Sequence, residues 1–84
     1  MVLSGDDMRP VINRLKRARG QLNGIIDMLE EGRDCEDIVV QIAAVSKALD
    51  RAGYSVVAAG MRECLTTGES LDSAKMEKLF LSLA

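Results

Sequence analysis

The feature that most constrains this chain is a run from Asp34 to about residue 65 with no proline and no strong turn cluster before Thr66-Thr67-Gly68. Its apolar residues Ile38, Ile42, Val45, Leu49, Ala52, Val56 and Ala59 recur at three- and four-residue steps, the helical period. The run reads as a single helix of about 30 residues, roughly 45 Å long at 1.5 Å per residue. A compact chain of 84 residues has a radius of gyration of only about 12 Å. The remaining residues are too few to wrap such a rod. Its apolar face therefore calls for other copies of the chain, with twofold symmetry as the commonest solution.

Two shorter helices flank the rod. Before it, Ile12, Leu15, Leu22, Ile25, Ile26 and Leu29 repeat with helical spacing after the only proline, Pro10. Asp6 or Asp7 is the expected cap, and Gly32 the expected stop. Asp34 is the expected cap of the long helix, with Asp37 in near capping-box spacing. After it, Ser70 or Asp72 caps a helix running to near Leu83, with Met76, Leu79, Phe80 and Leu83 as its face. No strand-like alternation competes. The expected fold is all-α, a single domain over residues 1–84 with three helices and one long central helix.

Composition removes several function classes. The chain has no histidine, which excludes His-dependent acid–base catalysis, Ser–His and Cys–His nucleophiles and His-ligated metals. No phosphate-cradling loop or metal triad is present, so the chain is not expected to be an enzyme. One Tyr, one Phe and no Trp disfavour single-strand binding by base stacking. No apolar run is long enough to span a membrane, and the N-terminus lacks the basic and apolar regions of a secretory signal. The expected location is cytoplasmic.

The net charge is −2, but the charge is unevenly spread. Arg9, Arg14, Lys16, Arg17 and Arg19 fall within eleven residues containing no acid, leaving the rest distinctly acidic. Such a stripe is either a solvated helix face or, repeated over several copies, a surface for DNA phosphates. Arg14, Lys16, Arg17 and Arg19, with Gln21 as a hydrogen-bonding group, are the candidate DNA contacts.

The two cysteines carry the remaining chemistry. Cys35 and Cys64 are twenty-nine residues apart, which at 100° per residue is eight turns plus about 20°. They share a face of the rod but lie roughly 43 Å apart along it, far beyond the ~7 Å Cα separation a disulfide allows. Two rods packed antiparallel about an axis near Leu49 and Asp50 would bring Cys35 of one copy to Cys64 of the other. The alternative is that both are ordinary buried cysteines. Two thiols without histidine cannot close a structural zinc site. They suit either Cu(I), a soft ion, or sulfur exchange, in which one thiol attacks and its neighbour resolves.

The segment Arg14-Leu15-Lys16-Arg17-Ala18-Arg19-Gly20-Gln21-Leu22-Asn23-Gly24-Ile25, together with Asp34-Cys35 and Gln41 to Leu49, resembles the copper-sensing operon repressor (CsoR) family. The resemblance covers about residues 8 to 66. It implies a three-helix protomer forming an antiparallel dimer and then a dimer-of-dimers tetramer. It also implies operator double-stranded DNA as partner, released when an inducer occupies cysteine sites between chains. In the family's copper sensors a histidine stands four residues before the second cysteine; here that position is Gly60. The acidic position of those sensors falls near Phe80, and their Tyr beside the first cysteine is Asp34. Two cysteines without that histidine resemble the family's persulfide-sensing branch. The expected function is thus a repressor that senses low-molecular-weight persulfides or polysulfides through Cys35 and Cys64, with no resident cofactor. A Cu(I) sensor using the same thiolates is the alternative.

Overall fold

A computed structural model describes residues 2–68, 70 and 72–84. Among them the chain forms three helices and no strand: α1 (Arg9–Glu31), α2 (Cys35–Thr67) and α3 (Ser73–Leu83). The long run is one helix of 33 residues, slightly longer than expected. Thr66 and Thr67 do not break it. Their hydroxyls donate to the carbonyls of Arg62 and Glu63, both at 2.9 Å, so these residues join the last turns, and Gly68 closes the helix in the left-handed region at φ 78°.

The other boundaries rest on local chemistry. Gly32 ends α1 at φ 76°, a conformation costly for any residue with a Cβ. Its N–H donates to the Leu29 carbonyl and that of Arg33 to the Met28 carbonyl. The chain then reverses within three residues. Asp72 caps α3 by accepting from the Lys75 N–H at 3.2 Å. The expected carboxylate caps of α1 are not formed. Met8 holds the cap position, because a turn before it already satisfies the backbone: Met8 N–H donates to the Ser4 carbonyl and Arg9 N–H to that of Asp6. Asp34 stands at the cap of α2 without a side-chain cap bond, so the Asp34–Asp37 capping box is also not formed.

Packing between α1 and α2 is antiparallel and uses a seven-residue spacing. Val11, Ala18 and Ile25 of α1 are buried against Ile38, Val45 and Ala52 of α2. One cluster joins Met8 and Val11 to Ala52, with Leu3, Ile12 and Ala59 packed around it. The other joins Ile25 to Ile38 and Val45. Much of the expected core face lies beside this seam, not in it. Leu15, Leu22, Ile26 and Leu29 of α1 and Ile42 and Leu49 of α2 are all more than 40% exposed. The reason is angular: at 100° per residue Leu15, Leu22 and Ile26 sit 20–60° to one side of Val11, enough to miss the partner helix.

The third helix folds back along the second half of α2 only. Leu83 lies over Gly53, where an added Cβ would stand 2.6 Å from Leu83 Cδ2, so the glycine permits the close approach. Phe80 stacks on Tyr54 with ring centres 6.1 Å apart. The resulting shape is long and thin, 53 × 26 × 13 Å with a radius of gyration of 16.4 Å, against about 12 Å for a compact chain of this length. No described helix is long and apolar enough to cross a membrane.

Candidate functional site

Two features on opposite sides of the α1–α2 seam carry the chemistry. The first is a groove of about 320 Å³ lined by Arg14, Arg17 and Gln21 from α1 and Ala44, Ala48 and Arg51 from α2. Arg14, Arg17 and Gln21 are three and four residues apart, so α1 presents them on one face. The two alanines keep the floor of the groove open. Three arginines line this space, and a guanidinium is a planar, permanently charged donor suited to a phosphate oxygen.

The structure divides the basic stripe. Lys16 and Arg19 each follow a groove arginine by two residues, about 200° around the helix, and do not line the groove. Both are exposed on the far side of α1. Arg51 is the residue that sequence reasoning missed. It follows Asp50 and Lys47 in a mixed stretch of α2, and only the pairing of the two helices shows that it lines a groove with Arg14 and Arg17. An i, i+3, i+4 reading of α2 around Ala44, Ala48 and Arg51 was the available signal.

The second feature is the pair of thiols. With α2 unbroken from Cys35 to Thr67, the two cysteines share a face and stand roughly 43 Å apart at the helical rise. No single chain brings them together. Their surroundings differ sharply. Cys35 is exposed at the first turn of α2, beside Asp34, Glu36 and Asp37. Cys64 is 2% exposed, one turn before the end of α2. One turn before Cys64, buried Gly60 lines an apolar space of about 160 Å³ with Leu3, Val56, Val57, Met76 and Leu79.

The donor chemistry on this side is soft. Thiols at Cys35 and Cys64 and the thioethers of Met61 and Met76 are sulfur ligands, which select Cu(I) over harder ions. Within the described residues of one chain, no group of three or more His, Cys, Asp or Glu is placed to hold a metal. Sulfur donors of this kind suit a soft ion better than a hard one.

Fold and site together define a class: a three-helix, all-α chain whose chemistry is confined to sulfur on one side and guanidinium on the other. The model of a family described as "Metal-sensitive transcriptional repressor" matches residues 7–83, and the chain belongs to that family. Among its relatives, the copper-sensing transcriptional repressor CsoR of Mycobacterium ulcerans is 41% identical over 61 residues, covering 73% of this chain and 52% of the relative. The copper-sensing transcriptional repressor CsoR of Bacillus subtilis is 37% identical over 62 residues, 74% of this chain and 61% of the relative. The copper-sensing transcriptional repressor RicR of Mycobacterium tuberculosis is 38% identical over 53 residues, 63% of this chain and 55% of the relative. The chain thus spans about half the length of the curated relatives it matches. Those relatives are transcriptional repressors, not enzymes.

Proposed function

We propose that the chain is a cytoplasmic DNA-binding repressor whose operator is released when Cu(I) is held between Cys35 of one copy and Cys64 of another. The observation that carries this reading is the bare apolar side of the α1–α2 hairpin, on which Cys35 stands, in a chain whose relatives are copper-sensing repressors. Leu15, Leu22, Ile26, Ile42 and Leu49 leave a face that a second antiparallel copy would cover, and that arrangement pairs the two cysteine positions twice per dimer. Further association into a dimer of dimers follows the family pattern.

Charge also favours the cation. Asp34, Glu36 and Asp37 outnumber Arg33 around Cys35, whereas Arg62 and Glu63 offset each other beside Cys64. A polysulfide anion approaching these carboxylates meets like charge, whereas Cu(I) meets a complementary field. Cys35 and Cys64 each give up a proton on ligation. Cu(I), when bound, supplies soft thiolate bonds that fix one distance between two α2 helices. The chain's part is to convert that distance into a new spacing of the Arg14, Arg17 and Arg51 grooves, which then match the duplex less well. An effector acts only through such a difference between states.

Arg14, Arg17, Arg51 and Gln21 are the proposed phosphate and backbone contacts at the groove. Lys16 and Arg19, on the far side, add to the field around α1. A persulfide or polysulfide sensor using the same thiols is the second reading, and one observation favours it: Gly60 leaves the position one turn before Cys64 without a nitrogen ligand. The test begins with duplexes selected from a random pool. Cu(I) and an inorganic polysulfide are then added separately to the bound complex. Release by stoichiometric Cu(I), with no mass added to the protein, supports the copper reading. Release by polysulfide alone, with chains cross-linked through extra sulfur, replaces it. Failure to select any duplex sinks both.

A further inference from the structure

The α1–α2 hairpin is a layer with two unlike faces. Around α1, measured from buried Val11, Leu15, Leu22 and Ile26 lie about 20–60° to one side, and Arg14, Gln21 and Arg17 about 60–120° to the other. Around α2, measured from buried Val45, Leu49 and Ile42 lie about 40–60° to one side, and Ala48, Ala44 and Arg51 about 60–120° to the other. In antiparallel neighbours the same sense of rotation leads to the same face of the layer. The groove agrees, since residues from the second side of each helix line it together. One face is therefore apolar, with Leu15, Leu22, Ile26, Ile42 and Leu49 all more than 40% exposed. The opposite face holds the arginines.

Two copies laid together through their apolar faces turn their arginine grooves outward, in opposite directions. Packed helices stand about 10 Å apart and each is about 10 Å thick, so the two outer faces are roughly 20 Å apart with the apolar core between them. DNA keeps its direction over about 150 base pairs. A short duplex on one face therefore stays nearly straight and does not reach the arginines of the other. Setting both grooves against one duplex would need the copies side by side, with Leu22, Ile26 and Ile42 left in water as a contiguous apolar patch.

We propose that the assembled protein holds two separate segments of double-stranded DNA, one on each outer face, and so bridges two operators or closes a loop between them. The proposal rests on the DNA-binding and antiparallel-pairing reading above, and adds to it the direction in which each groove points. Each face carries its own set of guanidiniums for phosphate contacts, so neither segment depends on the other for its site.

The experiment uses the full chain and selected duplexes of about 20 base pairs, far shorter than the length over which DNA bends easily. One duplex is tethered to beads, a second carries a fluorophore, and capture of the second by the first is read as protein is added. Capture is expected to rise and then fall once protein exceeds duplex, because each duplex then carries an assembly of its own. Ile42→Glu, with its helices checked by circular dichroism, is expected to give a particle with one groove that binds duplex and loses capture. Leu22→Glu takes its place if Ile42→Glu does not fold. Duplex binding without capture, or capture that only rises as in aggregation, overturns the proposal and leaves the operator-binding reading standing. A glutamate variant that still assembles, or that captures as a monomer, does the same. A chain that binds no selected duplex overturns the operator-binding reading, and bridging with it.

Discussion

The two halves of α2 hold the same kind of residue at each end and treat it in opposite ways. The first half, from Cys35 to about Leu49, is packed by α1 alone, and its thiol is exposed. The second half meets the start of α1, the segment around Leu3, and α3, and its thiol is buried. A symmetric helix would offer a second copy two equal surfaces. This one offers a bare end and a roofed end, which in an antiparallel pair face each other. In the proposed pairing the exposed Cys35 would be the reaching partner and the buried Cys64 the receiving one. The lesson is that chemical equivalence in sequence is broken by one short helix docked over half a rod.

The largest effect should come from breaking the bare half. Ile42→Glu or Leu22→Glu places a charge on a face already exposed in the single chain, so an isolated chain would tolerate it within about 0.5 kcal/mol. In an assembly it buries an unpaired carboxylate. Sedimentation is expected to show the chain falling to its 9.1 kDa monomer with helicity retained. An unchanged assembly would move the contact to another face.

Next come the thiols. Cys35→Ser and Cys64→Ser are each expected to weaken Cu(I) by at least about 100-fold, the upper end of what changes around a metal cost, as read by chelator competition. The comparison requires both losses. If Cys35→Ser binds like the wild type, the site lies wholly in the roofed half.

Groove variants should follow at smaller size. Arg51→Ala and Arg14→Ala are each expected to lower duplex affinity about tenfold and reduce the slope of log K against log salt by about 0.9 per lost phosphate contact. Arg19→Ala, on the far side of α1, is expected to change affinity less. Equal effects at Arg19 and Arg51 would mean that DNA is read by the whole circumference of α1 instead of the groove.

The smallest effect should be local to the roof. Asp72→Ala removes the bond accepted from the Lys75 N–H, at a cost of about 1 kcal/mol. The expected readout is faster hydrogen exchange in α3 and faster alkylation of Cys64, with Cys35 unchanged. A parallel rise at Cys35 would show that the two halves of α2 unfold together.

Much of this architecture was legible without coordinates. Three helices, the stop at Gly32, the cap at Asp72 and a rod too long for its chain depend on period, glycine conformation and capping. All of these act within a few residues. Cys35 and Cys64 were legible as a pair because helical arithmetic fixes a shared face and a separation whatever else the chain does. The expectation of sulfur sensing came from the absence of histidine. Membership of a metal-sensitive family and relatives named as copper sensors give the copper alternative the stronger support.

The rest required the packed chain. In α1, Val11 and Leu15 differ by only 40° in direction, and nothing local says which edge of that wide apolar stripe meets α2. The answer, Val11 with Ala18 and Ile25, decided which residues are core and which are left bare. The same rotation turned Arg14 and Arg17 toward Arg51 and carried Lys16 and Arg19 away. It also left α3 free to cover only the second half of α2, the half in which Cys64 is buried. Sequence by itself determined the elements, because their energies are local. Tertiary structure decided the faces, because a helix chooses among adjacent faces only by what another helix brings to them.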